Sequence, residues 1–335
     1  MKAIYNFFNF FLIFYLFNCI ATEPFYILTQ GYRQVNYLLQ RKKISEILKD
    51  PSTPEKLKEK LELLNEIKKF ASTKLKLNTK NQFEYLLEVQ GSAISYLVIA
   101  SNKTQLIPKK YWFPLIGTIH YLGFFDKQDA IEYSKYLENQ NWDVKVVPVD
   151  AYSTLGWFSD PILSYHLEKD EITLASLVIH ELTHNTFWKQ NDNNYNETLA
   201  TFIEEMGTVL YIEEKKNQKK ELKDKYKKYL EEKIKINNIL FEYKKKLQEL
   251  YSQSLLEEEI LQKKEEIFTN LKKHFKEIQK EFVIISIDYY LNKNYNNADF
   301  VLLNLYDNQE LTFYFKKVFQ ECNRNFECFW KKIKN

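Results

Sequence analysis

The stretch His180-Glu181-Leu182-Thr183-His184 decides the fold, because it places the pattern H-E-x-x-H inside a segment, Leu174 to Gly207, that predicts two consecutive helices. Residues four apart on an α-helix lie on the same face. Two imidazoles at this spacing can both reach one zinc ion, and Glu181 beside them can act as a general base on water. A chance match is the alternative, and five histidines in the whole chain make it rare.

The first of the two helices has a clear beginning and a clear apolar face. Asp170 is a candidate N-cap, since its side chain can accept hydrogen bonds from the first free backbone N–H groups. Apolar residues recur at helical spacing on the side away from the two histidines: Ala175, Val178, Ile179 and Leu182.

The second helix offers a third metal ligand. After a polar turn at 189–194, apolar residues at helical spacing predict a helix from about Asn196, with Glu197 in its first turn. A catalytic zinc takes three protein ligands, and His-His-Glu is one established set. We expect Glu197 to complete the set. Glu204 and Glu205 are rival ligands about two turns along, although we favour a solvated acidic helix end for both.

Three motifs together resemble the bacterial family of putative zinc aminopeptidases, many of which are lipoproteins. They are Ala151-Tyr-Ser-Thr-Leu-Gly-Trp-Phe-Ser-Asp-Pro161, the H-E-x-x-H stretch, and Tyr195-Asn-Glu-Thr-Leu-Ala-Thr-Phe202. The similarity runs from Phe25 to about Ile212 and resumes near Tyr295. The resemblance implies a gluzincin-type metallopeptidase with a zincin-like core and one Zn²⁺ ion bound by His180, His184 and Glu197.

Length and charge narrow the class of protein. A chain of 335 residues can bury a sizeable core, as one catalytic domain with an appendage or as two domains. The net charge is only +3, from 48 basic and 45 acidic residues, so the composition gives no case for nucleic-acid binding.

The first 19 residues predict a secretory signal. Lys2 precedes a short apolar run, Ile4 to Phe17, and then Asn18 and Cys19. This run is short for a membrane span, which needs about twenty residues. The segment before Cys19 resembles a lipoprotein signal, which implies acylation of Cys19 and a membrane-anchored protein of the cell envelope. An uncleaved anchor and ordinary secretion are the alternatives.

The two remaining cysteines fit an exported protein. Cys322 and Cys328 close a short loop, and a disulfide between them is plausible in an oxidising compartment. Two free thiols are the alternative. Zinc binding by this pair is not expected, because no further histidine or cysteine accompanies it.

The rest of the chain predicts an α+β fold with a small mixed sheet. Residues 25–80 predict helices, including one from about Glu55 to Leu75. Short runs of β-branched and aromatic residues predict strands at Ser95–Ala100, Tyr111–Tyr121 and Val144–Val149, with a helix at Asp126–Asn139. We expect His120 to be a core or half-buried histidine.

The segment Ala151–Pro161 is a candidate substrate-binding edge strand. Zinc peptidases add a peptide substrate as a strand beside the active helix, and Gly156 would allow close backbone approach. By analogy with larger zinc aminopeptidases, Asp160 is a candidate to bind the free amine of the substrate, with a turn or cap residue as the alternative. Tyr152 and Tyr195 are candidate oxyanion donors, although we favour ordinary packing for each.

Residues 213–281 predict a protruding antiparallel helical hairpin with a coiled-coil seam and a turn at Ser252–Ser254. Three roles are open to it: a spacer or lid that restricts access to the zinc cleft, a docking arm for a protein partner, or a tolerated elaboration between two core helices, which we favour slightly. We expect His274 to lie beside the seam. Residues 282–335 predict an apolar helix over 283–305 and a C-terminal helix from Glu310 with an aromatic face.

These inferences divide the chain into a signal at 1–19, a catalytic core at 20–212, the hairpin at 213–281 and C-terminal helices at 282–335. They predict a zinc-dependent peptidase, in the first place an aminopeptidase. The alternatives are a zinc endopeptidase and an envelope-anchored interaction protein whose metal site is not catalytic.

Overall fold

The computed structural model describes residues 26–89, 91, 93–113, 117–149, 160–190, 192–215, 219–306 and 308–334. The predicted signal with Cys19 and the candidates Tyr152 and Gly156 lie outside these residues. Within them the fold is mixed α+β, as predicted. None of the helices described is long and apolar enough to cross a membrane.

The N-terminal region is helical, as the sequence predicted. It comprises α1 (Tyr26–Gln40), the single turn α2 (Ile44–Ile47) and α3 (Glu55–Thr73). Pro54 precedes the first turn of α3, where the missing N–H of a proline costs no helical hydrogen bond. The buried face of α3 carries Leu61, Leu64, Ile67, Phe70 and Ala71.

The described residues contain eight short strands, in chain order β1 (Lys42–Lys43), β2 (Tyr85–Leu87), β3 (Ser95–Asn102), β4 (Tyr111–Phe113), β5 (Gly117–Ile119), β6 (Tyr121–Phe124), β7 (Trp142–Val149) and β8 (Ile162–Leu163). In the part of the chain that is described they form three sheets, where the sequence predicted one. The sheets have the orders β1-β2-β8, β6-β3-β7 and β4-β5. All pairs are antiparallel except β2 with β8.

The strands form separate sheets in place of the predicted single one, and the apolar faces of these sheets pack on different helices. Leu86 and Ile162, from β2 and β8, belong to the main helical core. Val98 and Leu122, from β3 and β6, instead pack on α4 (Lys127–Asn139). Asp126 caps α4 by accepting hydrogen bonds from the first backbone N–H groups of that helix. His120 lies between β5 and β6 and is half-buried.

Two long helices form the centre of the main core: α5 (Glu171–Thr186) and α6 (Asn193–Glu214). Asp170 caps α5, as predicted, by accepting from the N–H groups of Ile172 (3.0 Å) and Thr173 (3.1 Å). Helix α6 begins at Asn193, three residues earlier than predicted, because Asp192 serves as its cap. Glu197 therefore lies in the second turn of α6 and not in the first.

Two helices follow, α7 (Lys219–Tyr251) and α8 (Glu257–Ile278), with the predicted break between them. They are antiparallel, since Tyr243 donates to the Asn270 carbonyl at 3.0 Å while Lys235, earlier in the first helix, pairs with Glu281, later in the chain than the second. The prediction that this hairpin protrudes is wrong. Its apolar residues share one buried cluster with Tyr295 and Phe300 of the C-terminal region.

A buried ion pair also joins the hairpin to the sheet. The Lys264 ammonium lies 2.7 Å from the Asp143 carboxylate, and both side chains are at least nine-tenths buried. An ion pair so deeply buried needs further hydrogen bonds to offset its desolvation. The backbone N–H of Asn297 (2.9 Å) and the carbonyl of Lys103 (3.0 Å) supply them. The hairpin is therefore part of the folded body.

The C-terminal region differs from the prediction in two places. Residues 283–286 are irregular, and helices follow only at α9 (Asp288–Asn292) and α10 (Asn297–Tyr306). The predicted single tail helix is two helices, α11 (Gln309–Glu321) and α12 (Phe326–Lys334). The chain turns between them where the Sγ atoms of Cys322 and Cys328 are bonded, and both helices pack aromatic residues into the main core.

Gly207 allows α6 to lie against α5 and the segment after α3. A Cβ atom added there would lie 2.6 Å from Leu75 Cδ1 and 3.2 Å from Ile179 Cγ2, and both neighbours are fully buried. Alanine is the better helix former by about 0.5–1 kcal/mol, but overpacking costs about 1–3 kcal/mol. We expect Gly207→Ala to lower the free energy of unfolding by about 1 kcal/mol, measured by urea denaturation.

Gly31→Ala is the matched control for this prediction. Gly31 also lies in a helix, α1, but an added Cβ would meet nothing within 4 Å. That variant should gain stability or keep it. Equal stability of Gly207→Ala and the unmodified protein would contradict the close approach of the helices.

Candidate metal centre

The antiparallel register of α5 and α6 brings the candidate ligands together. Along the two helices, Tyr211 donates to Glu171 at 2.7 Å, and the hydroxyl oxygens of Ser176 and Thr208 lie 3.0 Å apart. Following the same register toward the end of α5, His184 comes to lie opposite Glu197. The apolar faces of both helices are buried in the main core, so packing fixes this register.

Three side chains form a triangle with nearly equal distances. The Nε2 atoms of His180 and His184 are 3.3 Å apart, the Oε2 atom of Glu197 lies 3.5 Å from the first of them, and its Oε1 atom lies 3.5 Å from the second. Ligands about 2.0–2.2 Å from a tetrahedral zinc lie about 3.3–3.6 Å from one another. The triangle therefore has the dimensions of one face of a zinc site, and two imidazoles with one carboxylate are donors that zinc accepts.

Glu204 holds the His180 ring from the other side. Its Oε2 lies 3.0 Å from His180 Nδ1, which leaves Nε2 directed into the triangle. Metal-binding histidines commonly donate their second N–H to a carboxylate in this way, which fixes the ring and its tautomer. Glu205 pairs with Lys233 of α7 at 3.0 Å. The expectation that both acids form a solvated helix end is wrong, because α7 covers this part of α6.

The surroundings set unusual pKa values for the three candidate ligands. Burial lowers the pKa of His180, but hydrogen bonds that its ring donates to Glu197 and Glu204 outweigh it and hold the pKa well above the usual value. Burial and the adjacent His180 lower the pKa of His184 to about 4. Burial raises the pKa of Glu197, yet the two histidines bring it below its usual value. His184 is thus a neutral imidazole and Glu197 a carboxylate at neutral pH.

Glu181 lies beside the triangle in an apolar and anionic environment. Burial raises its pKa to about 7, and the nearby carboxylates of Glu197, Asp160 and Glu204 contribute to this shift, while His180 opposes it. Four carboxyl groups thus surround two imidazoles. Such a cluster favours binding of a cation, because like charges at close range destabilise one another.

His184 carries a buried polar atom that this fold leaves without a partner. Its Nδ1 has no hydrogen bond within the described residues, and its ring packs edge-on against Trp188 with centroids 5.6 Å apart. The two histidines therefore differ at Nδ1: that of His180 is hydrogen-bonded to Glu204, whereas that of His184 has no such partner among the described residues.

The remaining candidates from the sequence have mixed outcomes. Asp160 is buried near Glu181, and Gln82 Nε2 donates to its carboxylate at 3.4 Å. Tyr195 is not at the site. It precedes Glu197 by two residues, so the two side chains point to nearly opposite sides of α6, and its ring packs on Phe315 at 5.2 Å. This packing agrees with the expectation that was favoured for Tyr195.

Asn196 is a positioning residue that sequence reasoning missed. Its amide is buried and forms two hydrogen bonds with the backbone of Lys189, accepting at 2.8 Å and donating at 2.9 Å. These bonds fasten the connection between α5 and α6 directly beside Glu197. The signal in the sequence was an asparagine directly before a candidate ligand. If such an amide is buried, it is generally paired with backbone groups.

A family model described as putative aminopeptidase matches residues 25–335. The geometry defines a candidate metal site on two antiparallel helices, with the half-buried acid Glu181 beside it. The family match covers nearly all of the chain, and the protein therefore belongs to the putative aminopeptidase family. No curated protein and no solved structure matches the chain.

Asn196→Ala should destabilise the connection between the central helices. The change leaves a backbone N–H and a backbone carbonyl of Lys189 without partners, at a cost of about 1–2 kcal/mol in the free energy of unfolding. Urea denaturation measures this loss. The exposed residue Asn139 at the end of α4 provides a control, since Asn139→Ala should change stability by less than about 0.5 kcal/mol. Equal effects of the two changes would contradict the role of Asn196.

Proposed function

We propose that the protein is a zinc-dependent aminopeptidase with a zincin-like core. The observation that carries this proposal is the triangle formed by His180, His184 and Glu197, whose edges have the length expected for zinc ligands. Glu181 follows the first histidine directly, and membership of the family supports the peptidase activity.

The three ligands and the acid have distinct roles. His180, His184 and Glu197 would hold the ion, while Glu204 keeps the His180 ring in its binding orientation. A zinc ion in such a site lowers the pKa of water and polarises the substrate carbonyl. Glu181 accepts the proton of the attacking water and passes it to the amine that leaves.

Two features of the site favour a catalytic metal ion over a purely structural one. A structural zinc site is closed by four protein ligands, whereas a catalytic one has three and an open position. The cluster found among the described residues has three members. A structural site also has no use for a half-buried carboxylic acid next to its ligands, yet Glu181 occupies that position.

Hydrolysis assays with and without a chelator test the proposal. The purified protein should contain about one zinc ion per chain and release the first residue of peptides that have a free amine. Chelation should abolish the activity and zinc should restore it. Cleavage of N-acetylated peptides at an equal rate would make the protein an endopeptidase. Bound zinc with no hydrolysis of either kind would favour an interaction protein with a non-catalytic site.

Glu181→Gln separates catalysis from metal binding. Glutamine has nearly the same shape but cannot accept a proton, so activity should fall by about 10²–10⁴-fold while the zinc content stays unchanged. Glu168→Gln removes a charge from an exposed residue ahead of α5 and serves as the control with unchanged activity. Full activity of Glu181→Gln would show that the acid has been assigned wrongly.

Substitutions of the acids on α6 test the ligand assignment. Glu197→Ala removes a ligand and should nearly abolish zinc binding. Glu204→Gln removes a positioning contact and should weaken affinity by about 10–100-fold, whereas Glu205→Gln should have no effect. Competition with a chromophoric chelator measures all three. If Glu197→Ala keeps its affinity for zinc while Glu204→Gln or Glu205→Gln loses it, the acid changed in that second variant is the third ligand.

A further inference from the structure

A cavity of about 600 Å³ opens beside the candidate metal centre. His180, Glu181 and Glu204 line one end of it. From there it follows one face of α5, past Leu177 and Thr173, toward the beginning of the helix. Its volume lies within the range of roughly 300–1,000 Å³ that is typical for small-ligand sites and exceeds that of any single amino-acid side chain.

The opposite wall comes from the hairpin. Leu222, Tyr226 and Tyr229 of α7 line the cavity. Their spacing of four and three places them on one face of the helix. The sequence predicts a coiled-coil seam for this part of the chain. Instead, this part of α7 continues beyond the point where α8 ends, since Lys235 already pairs with Glu281, and it covers the cleft.

The segment after α8 completes the wall and is firmly held. Glu232 of α7 is almost fully buried and accepts hydrogen bonds from three successive backbone N–H groups, those of residues 283–285, at 2.8–3.0 Å. These bonds place Ile284 against the cavity. A charge-assisted anchor of this kind makes the wall pre-formed, which reduces the entropy cost of binding a ligand.

The chemistry of the lining selects the kind of group that can enter. The lining combines leucine, isoleucine and tyrosine side chains with charged residues, which are Glu181 and Glu204 at the metal centre and Lys169, Asp170 and Lys225 elsewhere. Aromatic and aliphatic groups gain most from burial against the apolar part of this surface. An acidic side chain would lose its hydration beside Glu181 and Glu204.

The position of the cavity relative to Glu181 indicates which part of a substrate it receives. Glu181 and His180 line it, whereas His184 and Glu197 do not, among the residues the structure describes. If Glu181 passes a proton to the leaving amine, the leaving part of the substrate lies on the side of Glu181. The cavity is on that same side.

We propose that this cavity binds the side chain of the residue that follows the scissile bond, and that α7 with Ile284 makes it selective for a large apolar or aromatic side chain. The inference rests on the proposed peptidase function. In this proposal the hairpin is a wall of the substrate-binding cleft. Of the roles considered from the sequence, this is nearest to the spacer or lid.

Two series of short peptides with a free amine test this proposal. One series varies the second residue through Gly, Glu, Leu and Phe after a constant alanine, and the other varies the first residue before a constant alanine. Product release followed by mass spectrometry gives kcat/KM for each peptide. We expect Leu and Phe in the second position to exceed Gly and Glu by at least about 10-fold, with a smaller spread in the first series.

Variants of the wall identify the structural cause. Tyr229→Ala removes apolar surface and Leu222→Trp fills the cavity, so each should reduce the ratio of Phe to Gly in the second position by about 10-fold. Zinc content, which these changes should not alter, reports whether each variant is folded. Tyr32→Ala removes an exposed tyrosine on α1 and should keep the original ratio.

The outcomes separate this inference from the proposed function. If no peptide of either series is hydrolysed, the peptidase function fails. If peptides are hydrolysed but only the first residue matters, or neither does, the function stands and the cavity assignment is overturned. The assignment is also overturned if folded Tyr229→Ala and Leu222→Trp both keep the original ratio.

Discussion

The packing of α5 against α6 in one antiparallel register is the constraint on which the site depends. It places the Glu197 carboxylate 3.5 Å from both imidazole Nε2 atoms, in a position where burial disfavours an isolated charge. A shift of one helix along the other is unfavourable, because it would expose fully buried residues such as Val178 and Phe202. The hydrophobic core therefore maintains a cluster of carboxyl groups, in which the pKa of Glu181 is raised by burial and by its acidic neighbours, and a bound cation would stabilise that cluster.

Contacts from neighbouring segments hold α5 and α6 and the side chains of the site in place. Asn196 fastens the connection beside Glu197, and Glu204 orients the His180 ring. Helix α7 reaches α6 through the Lys233–Glu205 ion pair and then packs with α8 on the C-terminal helices. Long helical inserts are often independent of the domain that carries them. Here the buried Lys264–Asp143 pair links the hairpin to β7, so the hairpin and the sheet hold each other in place.

The features that the sequence predicted well depend on local interactions. The cap at Asp170, the helical spacing of His180 and His184 and the apolar face of α5 all follow from residues within a few positions of one another. Glu197 could be proposed because zinc chemistry demands a third ligand, although the helix begins earlier than expected. The irregular segment at 283–286 was predicted as helix, since nothing nearby indicates that Glu232 binds its backbone. Glu204 and Glu205 were misjudged for the same reason, because other helices determine their surroundings.

A crystal structure with anomalous diffraction measured on both sides of the zinc absorption edge tests the central claim most directly. The account predicts one zinc peak about 2.0–2.2 Å from Nε2 of His180, Nε2 of His184 and a carboxylate oxygen of Glu197, with a non-protein ligand in the fourth position. A zinc peak bound by other residues, or zinc enclosed by four protein ligands, would contradict it.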